Sequence, residues 1–118
     1  MFAETIKKVV DNVDGGIGGV IMGLDGISVE TYMRDPTRLD INTIGMEFSF
    51  ILSQVRKATD SLQVGNCEEL SVRADRLMLV IRMLSPQYFF AIALSRDGNF
   101  GKCRYLMRLA TPALTAEL

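Results

Sequence analysis

Few side chains in this sequence could carry chemistry, and their spacing argues against most reactions. No histidine occurs among the 118 residues. Ser–His and Cys–His nucleophile systems are thereby excluded, together with the commonest metal ligand. Cys67 and Cys103 lie far apart and form no CxxC pair, and a thiolate metal site needs more ligands than these two supply. No carboxylates follow calcium-loop spacing. Glu68 and Glu69 are adjacent, so on an extended strand they point to opposite faces and cannot act as an acid–base pair. The run Gly15-Gly16-Ile17-Gly18-Gly19 invites a phosphate-loop reading. It lacks the following Lys-Ser/Thr and the third glycine of GxGxxG, and it leads into a strand rather than a helix. Arg34, Arg38, Arg73, Arg76 and Arg82 could stabilise charge in phosphoryl transfer. With no positioning motif around them, they read as solvated or ion-paired surface residues. The sequence therefore implies no catalytic residue, no cofactor and no metal.

What remains is apolar residues in unusual places. The composition is 48% hydrophobic against 23% charged, slightly more apolar than a soluble domain needs, and surplus apolar surface is commonly covered by a partner. Leu24 and Ile27 flank Asp25-Gly26, a turn whose tip is normally polar. Met46 and Phe50 fall beside, not within, a long helical stripe. For Ile27 and Met46 the plain reading is core packing; for Leu24 and Phe50, core and contact surface are about equally supported. A net charge of -1 gives no reason to expect nucleic acid or an anionic membrane as partner. With no signal peptide at the Met1 end, the thiols are expected to be reduced in a cytoplasm. Arg82 and Ser85-Pro86-Gln87 interrupt the longest apolar run well short of a membrane span.

The elements that must position these residues follow from periodicity. The central pair is Leu77–Leu84 and Tyr88–Leu94, two continuous apolar runs parted by Ser85-Pro86-Gln87. Unbroken runs of strand length predict antiparallel neighbours buried on both faces, in the middle of a sheet. Before them, Phe2–Val13 puts Phe2, Ile6, Val9, Val10 and Val13 on one helical stripe, stopped by Asp14-Gly15-Gly16. Ile17–Leu24 reads as a strand whose glycines mark close approach of a neighbour, such as a helix lying across it. Ile27–Arg34 returns with period-two alternation, one face covered and one wet. Asp40 is a helix cap, and from Ile41 to Leu62 the residues Ile41, Ile44, Phe48, Ile51, Leu52, Val55 and Leu62 hold helical spacing. Met46, Phe50, Ser53 and Lys57 form a neighbouring face. Cys67–Asp75 alternates as a more exposed strand, whose open edge invites association. A last helix, Phe100 to about Ala110, carries Phe100, Cys103, Leu106, Met107 and Ala110 inward and is expected to end or loosen at Pro112. The prediction is one α+β domain over 1–118 in the order αββαβββα. A five-stranded antiparallel sheet lies between the long helix and the two terminal helices.

Two local stretches carry a resemblance. Met22-Gly23-Leu24-Asp25-Gly26-Ile27-Ser28-Val29-Glu30 is similar to the first hairpin of the roadblock (dynein light chain) family. Asp97-Gly98-Asn99-Phe100-Gly101-Lys102 is similar to that family's entry into its last helix, and the element order matches over essentially the whole chain. Within the family the chain resembles the bacterial polarity and motility regulators of the MglB and MglC kind. The resemblance implies a homodimer, or a heterodimer with a paralogue. Its long helices pack side by side through Met46, Phe50, Ser53 and Lys57, and its third strands join along Cys67–Asp75, with Leu70, Ser71 and Val72 at the seam. It also implies a non-enzymatic cytoplasmic adaptor in a small Ras-like GTPase polarity system, open to recruitment to a cell pole. Its implied partners are an MglB-like paralogue and a RomR-like response regulator, docked at Leu24, Asp25 and Ile27. The alternative is a GTPase-activating co-regulator that binds an MglA-like GTPase directly. The chain stops at Leu118 without the C-terminal extension of MglB-like regulators, which places the adaptor reading first.

Overall fold

The first helix, α1 (Phe2–Asp11), forms because Ile6, Val9 and Val10 share one stripe and all three are buried. It lies directly on the first strand, β1 (Gly16–Gly23), all eight residues of which are buried. The glycines permit that approach: a side chain begun at Gly19 would meet Ile6 Cγ2 at 2.8 Å. The expectation of a helix crossing this strand holds. Gly26, at φ +83°, turns the chain into β2 (Ser28–Met33), while Asp25 Oδ1 accepts from the Ile27 N–H at 3.0 Å.

A computed structural model, describing residues 1–118, completes the order with α2 (Ile41–Leu62), β3 (Glu69–Arg73), β4 (Met78–Met83), β5 (Tyr88–Leu94) and α3 (Phe100–Ala116). The strands form one antiparallel sheet in the order β2-β1-β5-β4-β3. The two continuous apolar runs are therefore interior strands, as their pattern requires. On one face α1 and α3 enclose Ile6, Val10, Ile21, Phe90, Cys103 and Met107. On the other, α2 covers Val20, Met22, Leu79, Ile81 and Phe89 with Leu52. The α+β layout of a five-stranded sheet between the long helix and the terminal helices is the one read from the sequence.

Three local expectations need correction. Pro112 does not end the last helix, which continues to Ala116. Its continuation is held by burial of Leu114 and by the Thr115 hydroxyl, which donates to the Leu84 carbonyl at 3.0 Å. The alternation of β2 is not clean, because the register with β1 shifts between Ile21 and Met22. The irregularity passes over Val29, which is exposed. Ile51 and Leu62 fit the stripe of the long helix by spacing, yet both are exposed. The buried line is Ile41, Gly45, Ser49 and Leu52, where small residues let the helix sit close on Met22.

Candidate interaction surface

Asp40 starts α2 as its N-cap, with Oδ1 accepting from the Asn42 N–H at 3.0 Å and Oδ2 from the Thr43 hydroxyl at 3.0 Å. That cap fixes where the helix begins. With Gly45 and Leu52 turned onto the sheet, the 100° step per residue places Met46, Lys57 and Phe50 on the outer part of one flank, between Ser49 and the side away from the sheet. Met46 is 53% exposed and Phe50 69%. Ser53 is half-buried on the flank below them, its hydroxyl donating to the Ser49 carbonyl at 3.1 Å.

The β1–β2 turn meets this same flank. A Cβ built on Gly26 would stand 3.6 Å from Ser49 Oγ, and Ser49 Oγ donates to the Met46 carbonyl at 2.7 Å. Ile27 is 68% exposed at the turn. Turn and helix, read separately from the sequence, thus form adjacent parts of one surface. Within the turn the two apolar residues exchange their expected places. Leu24 packs against the α2-side core, whereas Ile27 does not tuck into the sheet. Asp25 is exposed and spends one carboxylate oxygen on the turn itself. The recess beside Leu24, about 240 Å³ between Leu52, Arg56, Met83 and Pro86, is smaller than the roughly 300–1,000 Å³ of ordinary small-molecule sites.

Leu70, Ser71 and Val72 lie elsewhere, on β3 at the far edge of the sheet. Leu70 and Val72 are half-buried against the α2-side core, while Ser71 is exposed. The main-chain groups of β3 alternate in direction. The Glu68 carbonyl accepts from the Met83 N–H at 3.0 Å, and the Ala74 N–H donates to the Leu77 carbonyl at 2.9 Å. The intervening groups of Glu69, Ser71 and Arg73 therefore point outward along an unpaired edge.

Four of the five arginines behave as surface residues, and Arg82 is half-buried with an unpaired Nε. Arg34, Arg38 and Arg76 are exposed. Arg82 lies 3.7 Å from Glu69, and Arg73 sits 4.8 Å from the centre of the Phe100 ring. Glu69 is held more firmly by Arg104, at 2.7 Å from Nη2 and 2.9 Å from Nε. No three His, Cys, Asp or Glu side chains are grouped as metal ligands. Burial pushes the Cys103 thiol up to about 12, aided by the nearby Glu69 charge, so this cysteine is a core residue rather than a nucleophile.

MglC from Myxococcus xanthus is 40% identical to this chain, with 98% of this chain and 97% of MglC covered at a TM-score of 0.71. The chain belongs to the roadblock family. A roadblock/LC7 domain from Streptomyces avermitilis superposes at TM-score 0.84, covering 97% of this chain and 94% of its own, at 16% identity. The gliding protein MglB from Thermus thermophilus gives 0.84 over 96% of this chain and 84% of its own, at 12% identity. Those two likenesses concern the fold alone. No family model matches the sequence, and no curated protein does. In this roadblock domain the exposed apolar residues and the open β3 edge are the features available to a partner.

Proposed function

We propose that this roadblock domain is a non-enzymatic adaptor in a small-GTPase polarity and motility system. It self-associates along β3 and along the α2 face of Met46, Phe50, Ser53 and Lys57, and it holds a second protein at the β1–β2 turn, on Leu24, Asp25 and Ile27. One observation carries the reading: Ile27, Met46 and Phe50 are each more than half exposed, on adjacent parts of one surface. Single exposed apolar residues are ordinary, whereas neighbouring ones mark contact sites. The likeness to MglC, and the gliding function named for MglB, support placement in a motility system. Partners of matching type are an MglB-like paralogue and a RomR-like response regulator. Leu24 shapes the turn from below, and Asp25 and Ile27 present it.

The second reading is a GTPase-activating co-regulator that binds an MglA-like GTPase. It draws on α2, whose 22 residues offer a long outer flank at Met46, Phe50 and Lys57. One experiment separates the two. The purified chain is mixed in turn with the GTP-loaded GTPase, the paralogue and the response regulator, and co-elution and phosphate release are followed. The adaptor reading expects co-elution with the paralogue or the response regulator, lost on Ile27→Asp, and unchanged phosphate release. Faster release would replace it with the co-regulator. Binding retained in Ile27→Asp would remove the turn from the contact surface.

A further inference from the structure

The helical layer on the other face of the sheet, away from α2, carries a recess of its own. There α1 and α3 run antiparallel. At one end the Met1 ammonium bonds Glu117 at 2.9 Å, and at the other the Asn99 N–H donates to the Asp14 carbonyl at 2.9 Å. Between the two helices lies a trough of about 490 Å³, roughly twice the recess beside Leu24. Its walls include Lys8 and Val9 from α1 and Lys102, Leu106, Leu109 and Ala113 from α3. On α3 those residues recur every three or four positions, so they share one face of the helix. Leu109 stands 57% exposed at the rim, while the same helix buries Cys103, Met107 and Leu114.

The trough is charged at one end only. Lys8 lies in the last turn of α1 and Lys102 in the first turn of α3, so antiparallel packing sets both at the Asp14–Asn99 end. No carboxylate lines the trough. Neither lysine is in an ion pair: Lys7, not Lys8, holds Asp11, and Glu4, one turn before Lys8, does not reach it. Over Phe100–Ala116, α3 holds Lys102, Arg104 and Arg108 and no acid, and its N-terminus adds partial positive charge at the Lys102 end. We propose that the α1–α3 trough is a second docking site, which receives a helical segment of another protein bearing two aliphatic side chains one turn apart and a carboxylate one or two turns from them.

The shape and charge of the trough select that occupant. Its walls are helices whose main chains bond within themselves, so an extended segment would find few backbone partners there, whereas a helix brings its own hydrogen bonds. A helix laid in such a groove is held by aliphatic anchors at i and i+4. Leu109 lies about 10 Å along α3 from Lys102 at 1.5 Å per residue, which sets the distance between the occupant's aliphatic and acidic residues. A small ligand needs most of its surface buried, and a trough open enough to leave Leu109 in water does not enclose one. An anionic membrane would also meet lysines beside apolar residues. The apolar wall here is recessed, however, and Glu4 and Glu117 are exposed on the same layer.

Peptide display on the intact chain tests the site. A library of helical peptides of about 16 residues, roughly 24 Å long, is selected on wild type, and the recovered peptides are titrated by fluorescence anisotropy. They are expected to carry the aliphatic pair and the carboxylate at those spacings. Leu109→Asp weakens their binding at least about tenfold. Lys8→Glu combined with Lys102→Glu weakens it roughly tenfold, and a new selection on that variant yields peptides with Lys or Arg in place of the carboxylate. The proposal is overturned if no peptide is recovered, or if charge reversal changes neither the affinity nor the recovered sequences. It is overturned as well if Ile27→Asp, at the β1–β2 turn, weakens binding as much as Leu109→Asp. Phosphatidylglycerol vesicles are the parallel probe: vesicle binding that is lost on the lysine reversals, with no peptide recovered, assigns the trough to a membrane instead. Lys8, Lys102 and Leu109 are all exposed, so their replacement leaves the core intact. If circular dichroism shows Leu109→Asp unfolded, Ala113→Glu, at another exposed position of the same trough, is expected to give the same loss, and unchanged binding there refutes the site.

Discussion

Replacing Phe50 by alanine should leave the fold standing and weaken association, and the size of the loss counts the rings involved. Phe50 is 69% exposed, so only about a third of it leaves water when the isolated chain folds. Full burial of a phenylalanine contributes about 1.5–3 kcal/mol. Folding then loses under about 1 kcal/mol, whereas an interface that covers the ring loses about 1–2 kcal/mol for each ring. A different protein meets one ring, which weakens binding roughly five- to thirtyfold. A two-fold homodimer that covers the ring loses two, about 2–4 kcal/mol or roughly thirty- to a thousandfold. Calorimetric titration with the partner and a dilution series of the chain alone read these two numbers separately. Urea unfolding is run below the dimer's dissociation range, because association adds apparent stability by mass action. Leu52, two residues along the same helix and 3% exposed, is the internal control: Leu52→Ala costs folding about 2–5 kcal/mol. The reasoning is refuted if Phe50→Ala unfolds the chain as Leu52→Ala does, or if neither association changes.

Pro112→Ala should stabilise α3, because proline removes a hydrogen bond from a helix interior at a cost of about 3 kcal/mol; its stiffening of the unfolded chain offsets roughly 0.4–1 of that. The melting temperature rises, and a fall would mean that the helix is shaped around the proline. Cys103 should resist alkylation in the native chain at pH 8 and react only after unfolding. Its thiol is raised by burial from 9.0 to about 12, so its share of stability is intact below about pH 9 and is lost as pH rises towards 12. Cys103→Ala should flatten that alkaline decline, and equal declines would refute the assignment. Gly26→Ala should cost about 1–2 kcal/mol, because its φ is +83° while the nearest atom to an added Cβ is Ser49 Oγ at 3.6 Å. Gly26→Asn should cost less, and equal losses would point to crowding rather than backbone.

The order of elements was legible because each carries one dominant pattern: apolar runs, broken only by Arg82, for β4 and β5, a capped helical stripe for α2, turn residues between. The surface was less legible, for reasons visible in particular residues. Ile51 and Leu62 match a helical stripe by spacing, but the contact line is set by Gly45 and Ser49, whose small size brings α2 close to Met22. A small residue repeated at i and i+4 was the signal that could have fixed the phase. Leu24 and Ile27 flank one turn symmetrically in sequence, and only the way the hairpin joins the sheet decides which one meets the core. Pro112 carried a strong local signal that packing of Leu114 and the Thr115–Leu84 hydrogen bond override. Local chemistry sets the elements; contacts between elements choose which side chain of a near-equivalent pair is left in water.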